Sequence, residues 1–183
     1  MKKTDLSKYD NTWYHPGKKA VCVLWYFVNV VFFVSHIIPL SGLKVWFLRL
    51  FGAKVGRSVV IKPGVNIKYP WKLVIGDYSW IGEDVWIDNL EQVIIGSNVC
   101  ISQGAMLLCG NHNYKKQTFD LILGEIHLHD GAWVGAKAVV CPGVTLNSHA
   151  ILSVGSVANK DLNSYSIYQG NPAVKIRERK FDV

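Results

Sequence analysis

An aliphatic residue at every sixth position constrains the fold of this chain more than any other feature of its sequence. Within each group the interval is six residues, and two intervals of eight separate the first groups, from Ile67 to Ile75 and from Ile87 to Ile95. A helix repeats its buried face about every 3.6 residues, so this interval excludes a helix and predicts a short strand followed by a turn. The positions concerned are Val55, Ile61, Ile67, Ile75, Ile81, Ile87, Ile95, Ile101, Leu107, Leu128, Val134, Val140, Leu146 and Leu152.

Three such intervals predict one coil of a triangular prism. The aliphatic residue points inward and stacks on its equivalent in the next coil, because a lone coil cannot bury its own apolar face. A small residue four places later fits the tight corner, at Val59, Ser79, Val99, Ala105, Ala132, Ala138, Ala150 and Ser156. The predicted fold class is therefore all-β, a parallel β-helix of about five coils.

A loop over residues 108–127 interrupts this repeat at one corner of the prism. The two intervals of eight residues fall at the same corner, one coil apart. The break between Leu107 and Leu128 falls at that corner again, one coil further along the chain. Because a long loop within a compact repeat is usually functional, we expect residues 108–127 to carry part of a site.

The charged residues divide the chain into three segments. Residues 1–54 carry a net charge of +6, residues 55–170 carry −1 and residues 171–183 carry +2, which gives the chain its +7. We predict an apolar and basic N-terminal helical arm over 1–54, the β-helix over 55–170 and a basic tail over 171–183. Basic ends suit an anionic membrane surface or a phosphate-bearing ligand, or they are simply solvated faces.

Composition narrows the function further. Hydrophobic residues make up 50% of the chain and charged residues 18%, which is unlike a disordered protein. No basic stripe is interleaved with aromatic residues, so no nucleic-acid partner is expected. No C-x-x-C pair occurs, and we therefore expect a reducing compartment, the cytoplasm, for the cysteines at positions 22, 100, 109 and 141.

Residues 20–38 form an apolar segment whose only polar residues are Asn29, Ser35 and His36. A helix rising about 1.5 Å per residue would reach roughly the thickness of a hydrocarbon core over this length. Residues 43–51 then form an amphipathic, basic stretch of a type that lies on membrane surfaces. Three interpretations stay open, because the segment could span a membrane, lie in the membrane interface or pack as an ordinary helix. The second predicts a peripheral contact through residues 18–51 at the inner face of the cytoplasmic membrane.

Five stretches carry a resemblance to a known family. They are LFGAKVG (50–56), YPWKLVIGD (69–77), ISQGAMLLCGNHNY (101–114), VCPGV (140–144) and GNPAVKIRER (170–179). Together with the repeat they resemble the hexapeptide acyltransferases, in particular the acetyltransferases of colanic acid biosynthesis. The resemblance implies a left-handed parallel β-helix, a homotrimer with active sites between subunits, and acetyl-CoA as the donor. It also implies an acceptor hydroxyl on a sugar or lipid-linked sugar that is a precursor of a cell-surface polysaccharide.

His112 is the candidate catalytic residue. Transfer of an acetyl group to oxygen needs a base that takes the hydroxyl proton, and histidine suits this role near neutral pH. The family's catalytic histidine falls in this loop, so the resemblance assigns the role to His112. Its position alone is equally consistent with a loop histidine bonded to the backbone. Asp88 and Glu91 are candidates for an acidic partner of the imidazole.

The resemblance also implies residues that bind the substrates. Trp133 would line the acceptor or pantetheine groove, although an outward tryptophan in a trimer interface is an alternative. The backbone at Val154 and Gly155 would follow the pantetheine, and Lys160 would meet the CoA phosphates. The basic residues of the tail could add phosphate contacts or simply be solvated. The full set of substrate-binding candidates is Asn111, Asn113, Trp133, Val154, Gly155, Lys160, Lys175 and Arg177.

Several features leave other functions open. Gly104 stands where many relatives carry an asparagine, and His112-Asn113 stands where many have His-Pro, so the orientation of the acceptor is not fixed. Cys109 could carry the acyl group as a thiolate near an imidazole. The same fold hosts γ-type carbonic anhydrases, but their H-x-x-x-x-H pair is missing among the histidines here, and no metal is predicted. A non-enzymatic β-helix scaffold is a further alternative.

Overall fold

A computed structural model describes residues 3–182 of the chain. The predicted arm over 1–54 and the predicted tail over 171–183 extend onto residues 1, 2 and 183, which lie outside the described part. The body is a left-handed parallel β-helix whose three strands per coil belong to three different sheets. Five coils are complete, and a bridge between Leu146 and Leu162 begins a sixth.

The strands are two or three residues long within the coils. The first three coils contain β1 (Lys54–Val55), β2 (Val60–Ile61), β3 (Asn66–Ile67), β4 (Leu73–Ile75), β5 (Trp80–Ile81), β6 (Trp86–Asp88), β7 (Val93–Ile95), β8 (Cys100–Ile101) and β9 (Met106–Leu108). An inserted hairpin follows, with β10 (Gly110–His112) and β11 (Leu121–Leu123). The remaining strands are β12 (Ile126–Leu128), β13 (Trp133–Val134), β14 (Val139–Val140), β15 (Thr145–Leu146), β16 (Ile151–Leu152), β17 (Val157–Ala158), β18 (Ser166–Gly170) and β19 (Ala173–Glu178).

The three sheets form the three faces of the prism. Face A consists of β1, β4, β7, β12 and β15, and face C consists of β3, β6, β9, β14 and β17. Face B consists of β2, β5, β8, β13, β16 and β18, with β19 paired antiparallel at its end. Part of the predicted basic tail is therefore a strand that extends face B.

The interior of the prism contains the residues that the six-residue interval predicts. Thirteen of the fourteen aliphatic positions are buried, and Val55 is half-buried against the same core. The small corner residues are at most 7% exposed. Ser79 is tolerated there because its hydroxyl donates to the Gly96 carbonyl at 2.7 Å and accepts from the Val99 amide at 3.1 Å. These burials confirm the predicted fold.

The N-terminal arm covers the open edge of the first coil. It contains a 3₁₀ turn (Leu6–Lys8), helix α1 (Lys19–Val28), a π-helical segment (Asn29–Val34) and helix α2 (Ser41–Leu50), and a further 3₁₀ turn (Pro70–Lys72) lies within the β-helix. An edge strand exposes backbone groups that need partners. Here the partners are side chains of the arm, namely Trp25, Asn29, Ser41, Lys44 and Arg49.

One side of the apolar segment 20–38 packs on the chain itself. Trp25 and Phe33 are buried in the core, and the Trp25 indole donates to the Ile67 carbonyl at 2.8 Å. Asn29 is also buried, and it donates to the Asn66 side chain at 2.7 Å. Within residues 3–182, no helix combines the length and the apolar character needed to cross a membrane.

The loop predicted at 108–127 leaves the prism at the corner between faces C and A. The sequence predicts no regular structure there, but the structure contains the antiparallel hairpin of β10 and β11. Asn111 pairs with Ile122 and His112 pairs with Leu121. The hairpin therefore holds His112 on a hydrogen-bonded ladder rather than on an irregular loop.

Candidate active site

His112 is fixed by a residue of the same hairpin. Its Nδ1 lies 2.9 Å from the carbonyl oxygen of Phe119, and its ring stacks on the Phe119 ring with centroids 4.5 Å apart. A carbonyl oxygen only accepts, so Nδ1 carries the proton and donates. In the neutral imidazole Nε2 then keeps its lone pair, which is the arrangement a general base needs.

A cavity of about 410 Å³ adjoins His112. We call it the histidine cavity, and its lining residues are Tyr9, Asn11, Tyr14, Pro16, Lys68, Tyr69, Leu90, His112 and Leu121. The Tyr9 ring lies 5.7 Å from the imidazole, centroid to centroid. Aromatic and polar side chains therefore surround the base.

The N-terminal arm forms one wall of this cavity. Its backbone joins the hairpin where the Asp5 amide donates to the Gln117 carbonyl at 2.9 Å. The Tyr14 hydroxyl donates to the Leu90 carbonyl at 2.7 Å, and the Trp71 indole donates to the Pro16 carbonyl at 2.6 Å. These bonds hold residues 5–16 along the corner from which the hairpin extends.

Sequence reasoning missed Tyr9, Asn11 and Tyr14. They precede the repeat, and about a hundred positions separate Tyr9 from the histidine that it faces. The only signal in the sequence is the group of aromatic residues Tyr9, Trp13 and Tyr14 in a polar stretch.

Asn111 and Asn113 shape the hairpin. The Asn111 side-chain oxygen accepts from the His112 amide at 2.7 Å, and the Asn113 side-chain oxygen accepts from the Lys115 amide at 3.1 Å. Neither residue lines the histidine cavity. Their substrate-binding role stays a prediction.

The two acidic residues predicted as candidate partners of His112 are paired with lysines. Asp88 lies 2.8 Å from the Lys68 ammonium, and Glu91 lies 3.6 Å from that of Lys72. The orienting partner of the imidazole is instead the carbonyl of Phe119. A neutral acceptor can fix the ring tautomer without a carboxylate.

Cys109 is unsuited to carry an acyl group. Its side chain is fully buried, and burial raises the pKa of the thiol to about 12. The thiolate is the nucleophilic form, and at neutral pH this residue stays a thiol. Its environment is that of a core residue.

A second cavity, of about 470 Å³, follows face B near the corner that leads to face C. We call it the face B groove, and it is lined by Ser102, Gln103, Trp133, Gly135, Ala136, Ile151, Leu152, Ser153, Val154, Ile167 and Arg177. The Trp133 indole donates to the Ser102 hydroxyl at 2.9 Å. A Cβ on Gly135 would lie 2.6 Å from the Val154 amide nitrogen, so only glycine lets these two coils approach so closely.

The structure brings together Trp133, Val154 and Arg177 of the predicted coenzyme residues, but it places the others elsewhere. Gly155 occupies the adjoining turn, where its amide donates to the Ala136 carbonyl at 2.9 Å. Lys160 follows β17 at the next corner and is exposed. The Lys175 ammonium is paired with Glu178.

A broader cavity of about 900 Å³ continues the face B groove towards the C-terminus. It shares Trp133, Ile151, Ile167 and Arg177 with the groove. Arg179 and Lys180 add positive charge to its lining, and Glu178 and Asp182 add negative charge. The lining therefore has a small excess of positive charge, and guanidinium and ammonium groups are side chains that suit phosphates.

The histidine cavity and the face B groove are separate in one chain. The first lies where the hairpin leaves the corner between faces C and A, and the second lies on face B. No residue lines both. A single copy of residues 3–182 therefore presents the base and the groove at different edges of the prism.

Two of the other histidines are engaged in local contacts. His127 lies 3.1 Å from Glu125, and His149 stacks on Tyr165 with ring centroids 4.7 Å apart. Over the described residues, no three His, Cys, Asp or Glu side chains are grouped so as to hold a metal ion.

The prism of stacked coils is the fold of the hexapeptide-repeat acetyltransferases. No protein-family model matches the chain. Over 164 residues it is 39% identical to a protein of Escherichia coli (strain K12) provisionally named colanic acid biosynthesis acetyltransferase WcaF, covering 89% of this chain and 90% of the relative. The chain therefore belongs to the family of colanic acid biosynthesis acetyltransferases, which confirms both the predicted family and the predicted class of enzyme.

Solved structures agree with this fold. A hexapeptide-repeat-containing acetyltransferase of Vibrio cholerae aligns with a TM-score of 0.80 at 20% identity, covering 89% of this chain and 93% of that one. A galactoside acetyltransferase in complex with coenzyme A aligns with a TM-score of 0.78 at 22% identity, covering 88% and 82%. The Vibrio protein has also been solved in complex with acetyl coenzyme A.

Proposed function

We propose that this protein transfers the acetyl group of acetyl-CoA to a sugar hydroxyl of a cell-surface polysaccharide precursor. The observation that carries the proposal is the hydrogen bond from His112 Nδ1 to the Phe119 carbonyl, because it leaves Nε2 as the acceptor of a proton. The Vibrio cholerae structure with acetyl coenzyme A and the galactoside acetyltransferase with coenzyme A support the choice of donor.

In this mechanism His112 acts as base and then as acid. Nε2 takes the proton of the acceptor hydroxyl as the oxygen attacks the acetyl carbonyl carbon. A carbon–oxygen bond forms, the carbon–sulfur bond of the thioester breaks, and the imidazolium returns its proton to the leaving thiolate. The products are an acetyl ester and free CoA, and no acyl-enzyme is formed.

The histidine cavity is the proposed acceptor site. Its volume of about 410 Å³ is in the range of small-molecule sites. Tyr9 and Tyr14 offer aromatic faces to the apolar side of a sugar ring, and Asn11 offers an amide to its hydroxyls. The N-terminal arm thus helps to select the acceptor.

The face B groove is the proposed coenzyme site. Trp133 and the turn at Val154 would contact the pantetheine, and Arg177 would contact phosphate at the basic end. Gly155, Lys160 and Lys175 stay candidates for further contacts with CoA, and Asn111 and Asn113 for contacts with the substrates.

A homotrimer would join the two halves of the site. Because one chain presents His112 and the face B groove at different edges, a second copy is needed to bring a groove beside the base. Closed cyclic symmetry repeats such a contact in every subunit. Each of the three sites would then take its histidine from one subunit and part of its groove from the next.

The arm would also hold the enzyme at the inner face of the cytoplasmic membrane. Outward apolar side chains on α1 and the π-helical segment are exposed, with no charged residue between positions 20 and 43. Lys18 and Lys19 adjoin this surface and are exposed. An apolar face beside basic residues suits the interface of a membrane with anionic lipids.

The function is tested by measuring release of the CoA thiol from acetyl-CoA with a panel of nucleotide sugars and lipid-linked sugars. Mass spectrometry of the acceptor then identifies the ester. We expect thiol release only in the presence of an acceptor, with one acetyl group gained per thiol released. Acetylation of the enzyme itself in the absence of an acceptor would contradict direct transfer.

A further inference from the structure

A fourth cavity, of about 490 Å³, lies between the N-terminal helix and face C. We call it the helix groove, and its lining includes Tyr26, Val30 and Val34 of the arm and Lys68, Tyr69 and Trp86 of the β-helix. The mechanism proposed above uses none of its helical residues.

The helix groove has an apolar lining. Tyr26, Val30 and Val34 of the arm are 62%, 41% and 37% exposed, and Trp86 of face C is 41% exposed. The two charged residues in it, Lys68 and Asp88, form an ion pair with a 2.8 Å contact. Removing such exposed apolar surface from water is favourable in free energy, so an apolar ligand that covers it would be bound.

The helix groove meets the histidine cavity. Lys68 and Tyr69 line both cavities, so they stand at the junction between them. A ligand with a sugar beside His112 could therefore continue past Tyr69 into the apolar groove without leaving the protein surface.

The other end of the groove belongs to the exposed apolar face of the arm. Tyr26, Val30 and Val34 line the groove and are also part of that face. A chain that leaves the groove there would pass onto the surface that we assign to the membrane. A chain bound along these residues would lead from the histidine cavity, through the helix groove, to that surface.

We propose that the helix groove binds the apolar chain of a lipid-linked sugar acceptor, with the sugar in the histidine cavity. The inference rests on the proposed function and narrows its acceptor to a sugar carried on an apolar chain. The sharing of Lys68 and Tyr69 by the two cavities favours this occupant over a segment of another protein, because a lipid-linked sugar would occupy both cavities at once.

Binding of farnesyl phosphate, kept below its micellar concentration, tests the groove without any need for acetyl transfer. Val30→Asn places an amide inside the groove, and Val31→Asn is the matched control. Val31 is the next residue of the same segment, 49% exposed, and it does not line the groove. Titration calorimetry should show binding to the wild-type protein and to Val31→Asn within about twofold, and binding about tenfold weaker to Val30→Asn.

Equal affinity in the three proteins, or no affinity in any, would overturn the proposal. A lower molecular mass of Val30→Asn in sedimentation would also overturn it, because a second copy of the chain would then be the occupant.

The same three proteins are assayed with a sugar acceptor carried on a farnesyl chain, where Val30→Asn should raise KM and leave kcat nearly unchanged. His112→Ala separates the two proposals, because it should bind farnesyl phosphate normally and fail to transfer acetyl. Acetyl transfer by His112→Ala would refute the proposed function but not the proposal that the helix groove binds an apolar chain.

Discussion

The imidazole of His112 is held by both the backbone and the side chain of Phe119. Its Nδ1 lies 2.9 Å from the Phe119 carbonyl oxygen, and the two rings are stacked at an interplanar angle of 7°. Phe119 has a φ of 52°, in the left-handed region that a bulky residue seldom adopts. Backbone strain of this kind costs of order 1–3 kcal/mol and persists where the surrounding structure requires it. The hairpin maintains this conformation, and the bond from Nδ1 leaves the second nitrogen of a neutral His112 with its lone pair.

Replacing His112 with alanine should abolish most of the acetyl transfer. A positioned general base contributes about 10²–10⁴-fold to a rate, and we expect a loss in kcat of that size. His127→Ala is the control, because His127 lies outside the histidine cavity and contacts Glu125. Thiol release from acetyl-CoA measures both variants. A rate for His112→Ala near that of the control would refute the assignment.

Phe119→Ala should lower kcat while it leaves the fold intact. Alanine keeps the carbonyl and the strained backbone but removes the ring on which His112 stacks. A less well-oriented base should cost about tenfold in rate, since small displacements of catalytic groups have large effects. Tyr114→Ala is the control, because Tyr114 is in the same hairpin and is 77% exposed. Equal loss of activity in both variants would indicate disruption of the hairpin rather than of the histidine.

The coils and the position of the hairpin could be predicted because they depend on local periodicity. An aliphatic residue such as Ile81 or Ile101 is buried wherever the six-residue interval places it, since each coil contacts only its neighbours. The corner of the insertion followed from the same arithmetic. His112 lies on that insertion with a ring nitrogen bonded to the backbone, and its role as the base stays a prediction.

The contacts of the N-terminal arm could not be predicted, because they join parts of the chain that are distant in sequence. Nothing in residues 5–16 has a period that indicates their place beside His112. The apolar segment 20–38 is nearly uniform in hydropathy, so the sequence does not reveal that Trp25 and Phe33 face the core while Phe27 faces outward. The separation of Trp133 from His112 likewise depends on which corner each occupies.

Trp25→Ala should destabilise the protein strongly. The substitution removes a buried indole and its 2.8 Å hydrogen bond to the Ile67 carbonyl, and the cavity should lower the free energy of unfolding by about 3–5 kcal/mol. Phe27→Ala, at a side chain that is 60% exposed, should change that free energy by less than about 0.5 kcal/mol. Urea denaturation measures the free energy of unfolding of both variants.

The same Phe27→Ala variant tests the membrane proposal. Flotation with anionic vesicles should show weaker binding for Phe27→Ala than for the wild-type protein, and unchanged flotation would contradict the membrane proposal.

Cys109→Ala should keep its activity and change the response to alkaline pH. Burial raises the pKa of the thiol from 9.0 to about 12, so between these values the unfolded chain loses a proton that the folded protein retains. This group therefore makes stability fall as pH rises above 9, by about 1.4 kcal/mol for each pH unit. The alanine variant lacks this contribution, and its free energy of unfolding should fall less steeply between pH 8 and pH 10. Loss of acetyl transfer in a folded Cys109→Ala protein would instead support the hypothesis that Cys109 carries the acyl group as a covalent intermediate.

Two inactive variants should restore activity to each other if the site lies between subunits. His112→Ala removes the base, and Val154→Glu places a charge in the face B groove, at a side chain that is 68% exposed and dispensable for the core. In trimers assembled at random from equal amounts of the two variants, about a quarter of the sites would combine an intact histidine with an intact groove. Thiol release by the co-expressed mixture should approach that fraction of the wild-type rate, whereas each variant alone stays inactive. A mixture in which both variants share one trimer but recover no activity would show that each chain builds its whole site by itself.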